Sequence, residues 1–198
     1  MLTVKRAEHN LEAIARDLEP RHWRHGRRWY HDAHLYCSDL AREFNLPLAS
    51  VVGGLAVLSP NCRWEINKQA IRTLLSTGTC KEQVYPANVV KAKRIVFNGE
   101  NLLEVMNHPR YGSKVKSFYR NILDPVLSND VTVDTHASRA AFDKLDLTRK
   151  ELRWVFESGR GYRVLADAYV RVSDKLKVRP LHLQAAIWLL VKENLEEN

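Results

Sequence analysis

The segment YRVLADAYVRVSDKLKVRPLHLQAAIWLLV, residues 162–191, decides the fold class. Its first half repeats apolar residues at steps of three and four, which is typical of one buried helical face. This face consists of Tyr162, Leu165, Ala166, Tyr169, Val172 and Leu176. Pro180 suits the first turn of a second helix, because the N–H that proline lacks would have no helical partner there. The segment therefore predicts two helices joined by a short basic turn from Lys175 to Arg179.

Helical spacing continues through the rest of the chain. The pattern predicts further helices at residues 4–18, 31–44, 47–58, 64–76, 88–97, 100–107, 112–123, 135–144 and 148–156. One β-branched run, from Asp130 to Val133, is short and has no second run of the same character to pair with. We therefore expect an all-α fold.

The charge of the chain favours a polyanionic partner. Its 198 residues include 31 Lys and Arg against 23 Asp and Glu, a formal net charge of +8. Cationic side chains that dock on phosphates release condensed counterions, which drives association. Many basic proteins bind no polyanion, so charge by itself only favours this class of partner.

The cysteines and the apolar runs exclude several other classes. Cys37, Cys62 and Cys80 are widely and irregularly spaced, and no CxxC pair occurs. This pattern excludes zinc ribbons and cysteine-ligated iron–sulfur clusters, and it predicts free thiols in a reducing compartment. No apolar run is long enough to span a bilayer, and the N-terminus lacks a signal-peptide pattern. We expect a cytoplasmic protein with no metal, no cofactor and no membrane partner.

Two motifs suggest the chemistry. The first is HPRYGSK, residues 108–114, in which a glycine turn opens a helix and places Lys114 in its first turn. Backbone N–H groups at such a helix start can bind an anion, and the helix dipole adds to the attraction. The second is VTVDTHASRA, residues 131–140, whose Asp134 follows Lys114 by 20 residues.

Together the motifs resemble the core of the helix-hairpin-helix DNA glycosylases, specifically the branch similar to endonuclease III. In this resemblance Lys114 falls on the family's Schiff-base lysine, and Asp134 falls on its catalytic aspartate. Gly112 matches the second glycine of the family's hairpin. The tetrapeptide VDTH at 133–136 and Arg139 match the second motif without a gap.

The resemblance covers about residues 50–145. The segment VLSPN, residues 57–61, resembles the helix end from which the family inserts a glutamine into the space left by a flipped base. Asn61 would take that position here. The pair NK at 67–68 and the segment AKRI at 92–95 resemble further parts of the family pattern.

The resemblance also implies an architecture. We expect one domain, residues 1–198, with two helical lobes, a helix-hairpin-helix motif and a central DNA-binding cleft. The hairpin lobe would span residues 45–145, and residues 1–44 plus 146–198 would form the terminal lobe. Two features depart from the family. Its cluster cysteines are absent, and Arg110 replaces the first hairpin glycine, where left-handed backbone costs a non-glycine residue about 1 kcal/mol or more.

The implied function is cleavage of the N-glycosidic bond of a base flipped out of double-stranded DNA, with AP-lyase activity. Asp134 would stabilise the cationic sugar, and the Lys114 amine would attack C1′ to form a Schiff base. The expected DNA-binding residues are Asn61, Arg110, Tyr111, Gly112, Ser113, Lys116, His136, Arg139, Arg27 and Arg28. We expect the protein to act as a monomer.

Plainer interpretations of the same residues stay open. Asp134 can be only the N-cap of a helix, and Lys114 can be only a phosphate contact. The run RHWRHGRRWYH, residues 21–31, fits either a surface that binds phosphates and bases or a helix with core aromatics and solvated arginines. We interpret Trp154 and Trp188 as core residues.

Two other functions also stay open. Some phage proteins that resemble glycosylases modify bases instead, so a base-hypermodifying transferase is one alternative. A non-catalytic binder of bent or damaged DNA on the same scaffold is the other.

Overall fold

The computed structural model describes residues 1–108 and 112–196, and this part of the chain is helical without any strand. Its helices are α1 (Val4–Arg16), α2 (Pro20–Glu43), α3 (Leu48–Leu58), α4 (Trp64–Thr77), α5 (Pro86–Phe97), α6 (Leu102–Val105), α7 (Ser113–Leu123), α8 (Thr135–Phe142), α9 (Arg149–Glu157), α10 (Arg160–Leu176) and α11 (Pro180–Glu196). The prediction of an all-α chain is confirmed. Among the described residues, no helix is both long and apolar enough to cross a bilayer.

The second helix begins at Pro20, well before the predicted start at residue 31. Proline occupies the first helical position, where its missing N–H costs nothing. The His22 side chain reaches back so that its Nδ1 accepts the Glu19 N–H at 2.9 Å. Glutamate or glutamine usually makes this contact at the start of a helix. Because a histidine makes it here, the usual sequence signal for a helix start is absent.

The packing of α2 against α11 is the most extensive contact between two helices in the described part of the chain. Gly26 lies where the two helices touch. A Cβ added to it would lie 2.4 Å from the His182 carbonyl oxygen and 2.9 Å from the Ala186 Cβ. Next to this contact, the Tyr30 hydroxyl donates a hydrogen bond to Gln184 Oε1 at 2.7 Å. Only a glycine lets the backbones come this close.

Two clusters of buried apolar side chains form the interior. The first is built mainly from α2, α3, α4, α5 and α7, and the second from α1, α8, α10 and α11. Helix α11 contributes to both, with Leu181 and Ala185 in the first cluster and Leu183 and Ile187 in the second. The predicted division into residues 45–145 and residues 1–44 plus 146–198 stays a prediction.

The β-branched run 130–133 forms a connector rather than a strand. Val131 and Val133 are buried, and one hydroxyl serves both of their backbones. The Tyr162 hydroxyl donates to the Val131 carbonyl at 2.8 Å and accepts the Val133 N–H at 3.1 Å. These bonds supply the partners that a neighbouring strand would give, and they fix the backbone directly before Asp134.

Replacing Gly26 by alanine should lower the free energy of unfolding by about 1–3 kcal/mol, because the new methyl group overlaps the α11 backbone. In an isolated helix the same change would stabilise the helix by about 1 kcal/mol. The sign of the change in unfolding free energy therefore distinguishes the close contact from helix propensity. Urea unfolding measures the effect. Arg24→Ala, on the exposed side of the same helix, is the control and should change stability by less than about 0.5 kcal/mol. A more stable Gly26→Ala protein would contradict the close contact.

Candidate functional site

Lys114 lies in the first turn of α7, directly after a glycine turn. Gly112 has a φ of 94°, a left-handed conformation that favours glycine, and Met106 would lie 3.2 Å from a Cβ at this position. Val115 and Phe118 on the same helix are buried in the first core cluster. Core packing therefore anchors the helix that carries Lys114.

Asp134 lies at the start of α8 and is its N-cap. Its Oδ1 accepts the N–H of Ala137 at 2.8 Å, and its Oδ2 lies 3.8 Å from His136 Nδ1. Ala137 and Ala141 anchor α8 in the second core cluster. Asp134 therefore caps α8, as its plainer interpretation predicted, and the cap uses only one of the two carboxylate oxygens.

Lys114 and Asp134 line one cavity of about 90 Å³. This is several times the space that one water molecule needs. Aromatic rings form much of the wall, namely those of Trp29, Tyr30, Trp64, Phe118 and Trp188. Four polar residues also line it, namely Ser59, Asn67, Thr132 and Gln184. Since α7 packs in one core cluster and α8 in the other, the amine and the carboxylate meet where the two clusters adjoin.

A wider groove adjoins the cavity. Lys114, Asp134 and Trp188 belong to the walls of both. Four of the residues predicted to bind DNA also line the groove, namely Asn61, Gly112, Ser113 and His136. The structure thus brings both predicted catalytic residues and these four neighbours to one surface.

Asn61 lies in the turn that follows Pro60. Its φ of 55° is left-handed, which asparagine tolerates better than most residues. Its Nδ2 donates a hydrogen bond to the Tyr85 hydroxyl at 2.5 Å. An exposed amide therefore lies at the rim of the groove, and its insertion into a DNA duplex stays a prediction.

The basic and aromatic run 21–31 is part of α2. Arg27 and Arg28 are exposed, whereas Tyr30 is buried and Trp29 lies in the cavity wall. The arginines border a shallow depression together with His25, which also lines the groove. The run is helical with exposed arginines, as its second interpretation predicted, but Trp29 borders the cavity and does not fill a core. Contact of the arginines with phosphates stays a prediction.

Two of the predicted DNA contacts lie away from the groove. Lys116 lies on α7 and Arg139 on α8, and neither lines the groove or the cavity. The Arg139 Nε is buried and makes no hydrogen bond to any group in the described ranges. Arg110 and Tyr111 lie outside the described residues.

Burial shifts the pKa values of Lys114 and Asp134 in opposite directions. It lowers the pKa of Lys114, and this effect outweighs the nearby Asp134 carboxylate, which favours the protonated amine. Burial alone would raise the pKa of Asp134, but the His136 ring, the Lys114 charge and the Ala137 N–H together lower it. The site therefore combines an amine that loses its proton more readily than usual with a carboxylate that stays ionised. A neutral lysine amine is a nucleophile.

Comparison with known families gives one match. Residues 1–195 match DUF7178, described as a family of unknown function. The chain belongs to this family. No curated protein and no solved structure matches it. The matched range includes every residue of the cavity and the groove in this DUF7178 protein.

The interpretation of Trp188 as a core residue is wrong for this DUF7178 protein. Its ring is partly exposed and belongs to the walls of both the cavity and the groove. It stacks on His25 with ring centroids 6.3 Å apart, and its edge contact with His136 has a centroid distance of 5.9 Å. Trp154 instead packs against the second core cluster, as predicted. Helical spacing does not distinguish a ring that fills a core from a ring that borders a cavity.

Sequence reasoning also missed Asn67 and Gln184 as site residues. Both are buried polar residues on helices whose neighbouring turns are apolar, such as Ala70, Ile71 and Leu74 after Asn67. A polar residue within an apolar helical stripe was the signal that could have identified them, because burial of an amide calls for partners.

The lowered pKa of Lys114 should appear in the pH dependence of stability. Between that lowered pKa and the ordinary lysine pKa, the unfolded chain binds a proton that the folded chain does not, so stability rises with pH. Urea unfolding at stepwise alkaline pH should therefore show a steeper rise for the wild type than for Lys114→Met. Lys116→Met, on the same helix but outside the cavity wall, is the control. Equal slopes for Lys114→Met and wild type would contradict the lowered pKa.

Proposed function

We propose that this protein is a DNA glycosylase that flips a base out of double-stranded DNA into the cavity and cleaves its N-glycosidic bond. The observation that carries the proposal is the cavity that Lys114 and Asp134 share. They lie 20 residues apart in sequence and on helices that pack in different core clusters. The resemblance to helix-hairpin-helix glycosylases supports it further, because it assigns catalytic roles to these same two residues.

In this proposal Asp134 stabilises the charge that develops on the sugar. As the glycosidic bond breaks, its electron pair leaves with the base and the sugar becomes cationic. The carboxylate is held in advance by the Ala137 N–H and by the backbone bonds of Val131 and Val133. In a partly desolvated cavity its attraction for a cation is stronger than in water, and no reorganisation is needed at the moment of reaction.

Lys114 supplies the nucleophile for the proposed lyase step. Its neutral amine attacks C1′, from which the base has left, and forms a C–N bond as the nitrogen gives up a proton. The C1′–O4′ bond of the sugar ring then breaks, its electron pair and a proton go to O4′, and the resulting C=N group is a Schiff base that permits strand cleavage by β-elimination. The lowered pKa increases the fraction of amine that is free to attack. Its Nζ lies 3.5 Å from the Ser59 carbonyl oxygen, too far for a strong hydrogen bond that would hold it back.

We place the duplex across the groove, between the two proposed lobes. The backbone N–H groups of Gly112 and Ser113 would bind a phosphate at the start of α7, where the helix dipole favours an anion. The exposed Arg27 and Arg28 would add phosphate contacts from α2. The net charge of +8 supports a polyanionic partner of this kind.

The decisive experiment for Lys114 is covalent trapping. Borohydride should reduce the Schiff base formed with an abasic-site duplex to a stable adduct with the wild type and with Lys116→Ala, but not with Lys114→Ala. Both lysines occupy the same helix, and alanine favours helix at either position, so folding is matched. Base release without any adduct would limit the protein to glycosylase chemistry. If neither an adduct nor base release is detected, the proposal is contradicted, and a transferase or a non-catalytic binder is favoured.

Asp134→Asn should lower base release and trapping together, by about 10²-fold or more, because an amide cannot stabilise the developing positive charge. Asparagine caps helices about as well as aspartate, so thermal unfolding should change little. DNA affinity should persist or increase, since the change removes a negative charge from a surface that faces phosphates. Base release is measured on duplexes that each carry one modified or mismatched base. An unfolded variant whose residual folded fraction stays fully active would restrict Asp134 to its capping role.

A further inference from the structure

The side-chain oxygen of Asn67 is the least satisfied group of the cavity wall. Asn67 lies on α4, is 1% exposed and lines the cavity. Its Nδ2 donates to the Leu55 carbonyl at 3.1 Å, while its buried Oδ1 makes no hydrogen bond within the described residues. The amide cannot be turned over, because its oxygen would then face the Leu55 carbonyl oxygen. The wall therefore holds an acceptor with a fixed orientation and no donor.

Such an oxygen calls for a partner. A buried polar atom without a hydrogen bond costs about 1–3 kcal/mol, and natural proteins contain few of them. A ligand in the cavity that presents an N–H group would satisfy Asn67 Oδ1.

Gln184 provides the complementary group on α11. Its Oε1 accepts the Tyr30 hydroxyl at 2.7 Å, and this bond orients the amide. Its Nε2 donates to no group among the described residues, and Gln184 lines the same cavity as Asn67. The wall thus offers one unused acceptor on α4 and an unused donor on α11.

Aromatic rings enclose these two amides. Trp29, Trp64, Phe118 and Trp188 line the cavity, and such rings favour a planar ligand that can stack on them. The other side-chain oxygens of the wall each have a contact. Ser59 Oγ donates to the Ala56 carbonyl, Thr132 Oγ1 accepts from Asn121, and Asp134 Oδ2 faces His136 Nδ1 at 3.8 Å. Asn67 Oδ1 is therefore matched to a single N–H.

We infer that the cavity selects a planar ring with one ring N–H beside a carbonyl oxygen and without an amino group. Asn67 Oδ1 accepts the ring N–H, and Gln184 Nε2 donates to the carbonyl. An exocyclic amino group brings two N–H bonds to one free acceptor, so one of them would be buried without a partner. The binding of such a ring stands on the cavity alone, whereas its origin as a base in DNA rests on the proposed function.

Nucleoside binding tests the selectivity without any catalytic step. Trp29, Trp64 and Trp188, three of the five tryptophans, line the cavity, so a bound ring should change their fluorescence. Uridine, thymidine and inosine should bind roughly tenfold more tightly than cytidine, adenosine and guanosine, the effect of one unpaired N–H. Equal affinities, or no response to any nucleoside up to its solubility limit, would overturn the inference.

Two asparagines give a matched pair of variants. Asn10 is also buried, at 4% exposure, and its Nδ2 donates to the Ala141 carbonyl at 2.9 Å, but it does not line the cavity. Asn67→Leu and Asn10→Leu each break one such bond and should lose similar stability. Only Asn67→Leu should abolish the preference among nucleosides. A preference that survives in Asn67→Leu, or that disappears in Asn10→Leu as well, would overturn the role of Asn67.

Gln184→Glu tests the inferred ring selectivity even if Asn67→Leu does not fold. The glutamate still accepts the Tyr30 hydroxyl but lacks the Nε2 donor and turns an oxygen toward the ligand's carbonyl. Binding of uridine and inosine should fall about tenfold or more relative to wild type. Unchanged binding would contradict the role of Gln184.

Binding of DNA duplexes tests whether the selected ring belongs to a flipped base. Duplexes with one uracil or hypoxanthine should bind more tightly than the free nucleosides if the ring is a flipped base. Trapping or base release without ring selectivity would overturn this inference and leave the proposed function standing. Ring selectivity without DNA binding, trapping or base release would overturn the proposed function and leave the ring selectivity standing. The cavity would then be a site for free nucleosides.

Discussion

The contact between α2 and α11 is the interaction on which the rest of the structure depends. Gly26 lets the two backbones touch, and the bond between Tyr30 and Gln184 fixes their register. Helix α11 then supplies side chains to both core clusters, so it holds together the parts that carry α7 and α8. The cavity walls follow from this contact, because Trp29 belongs to α2 and Trp188 to α11.

The candidate site shows how one physical effect can prepare two groups for different tasks. Burial disfavours charge on either group, and for Lys114 it prevails, whereas the caps and charges around Asp134 outweigh it. The Ala137 N–H serves two purposes, since it completes the start of α8 and keeps the carboxylate ionised and in place. The capping role of Asp134 and the chemistry proposed for it therefore do not compete.

Much of the helical framework could be predicted because its signals are local. The apolar stripes of α10 and α11, and Pro180 at the start of α11, depend on residues within a few helical turns. The start of α2 was missed because a histidine replaced the usual acidic cap partner. Trp188 was misassigned because periodicity reports which face of a helix is apolar but not whether that face meets a core or a cavity.

From the sequence by itself come the all-helical class, the basic charge and the two motifs that carry Lys114 and Asp134, since each depends on short-range spacing or composition. Only the tertiary structure decided that these two groups share a cavity with Asn67 and Gln184. The physical reason is that α4, α7, α8 and α11 are distant in the chain, and burial of their apolar faces brings them together. The polar side chains on those faces then lie in one apolar enclosure, where a donor or acceptor without a partner costs free energy and favours a ligand that supplies the partner.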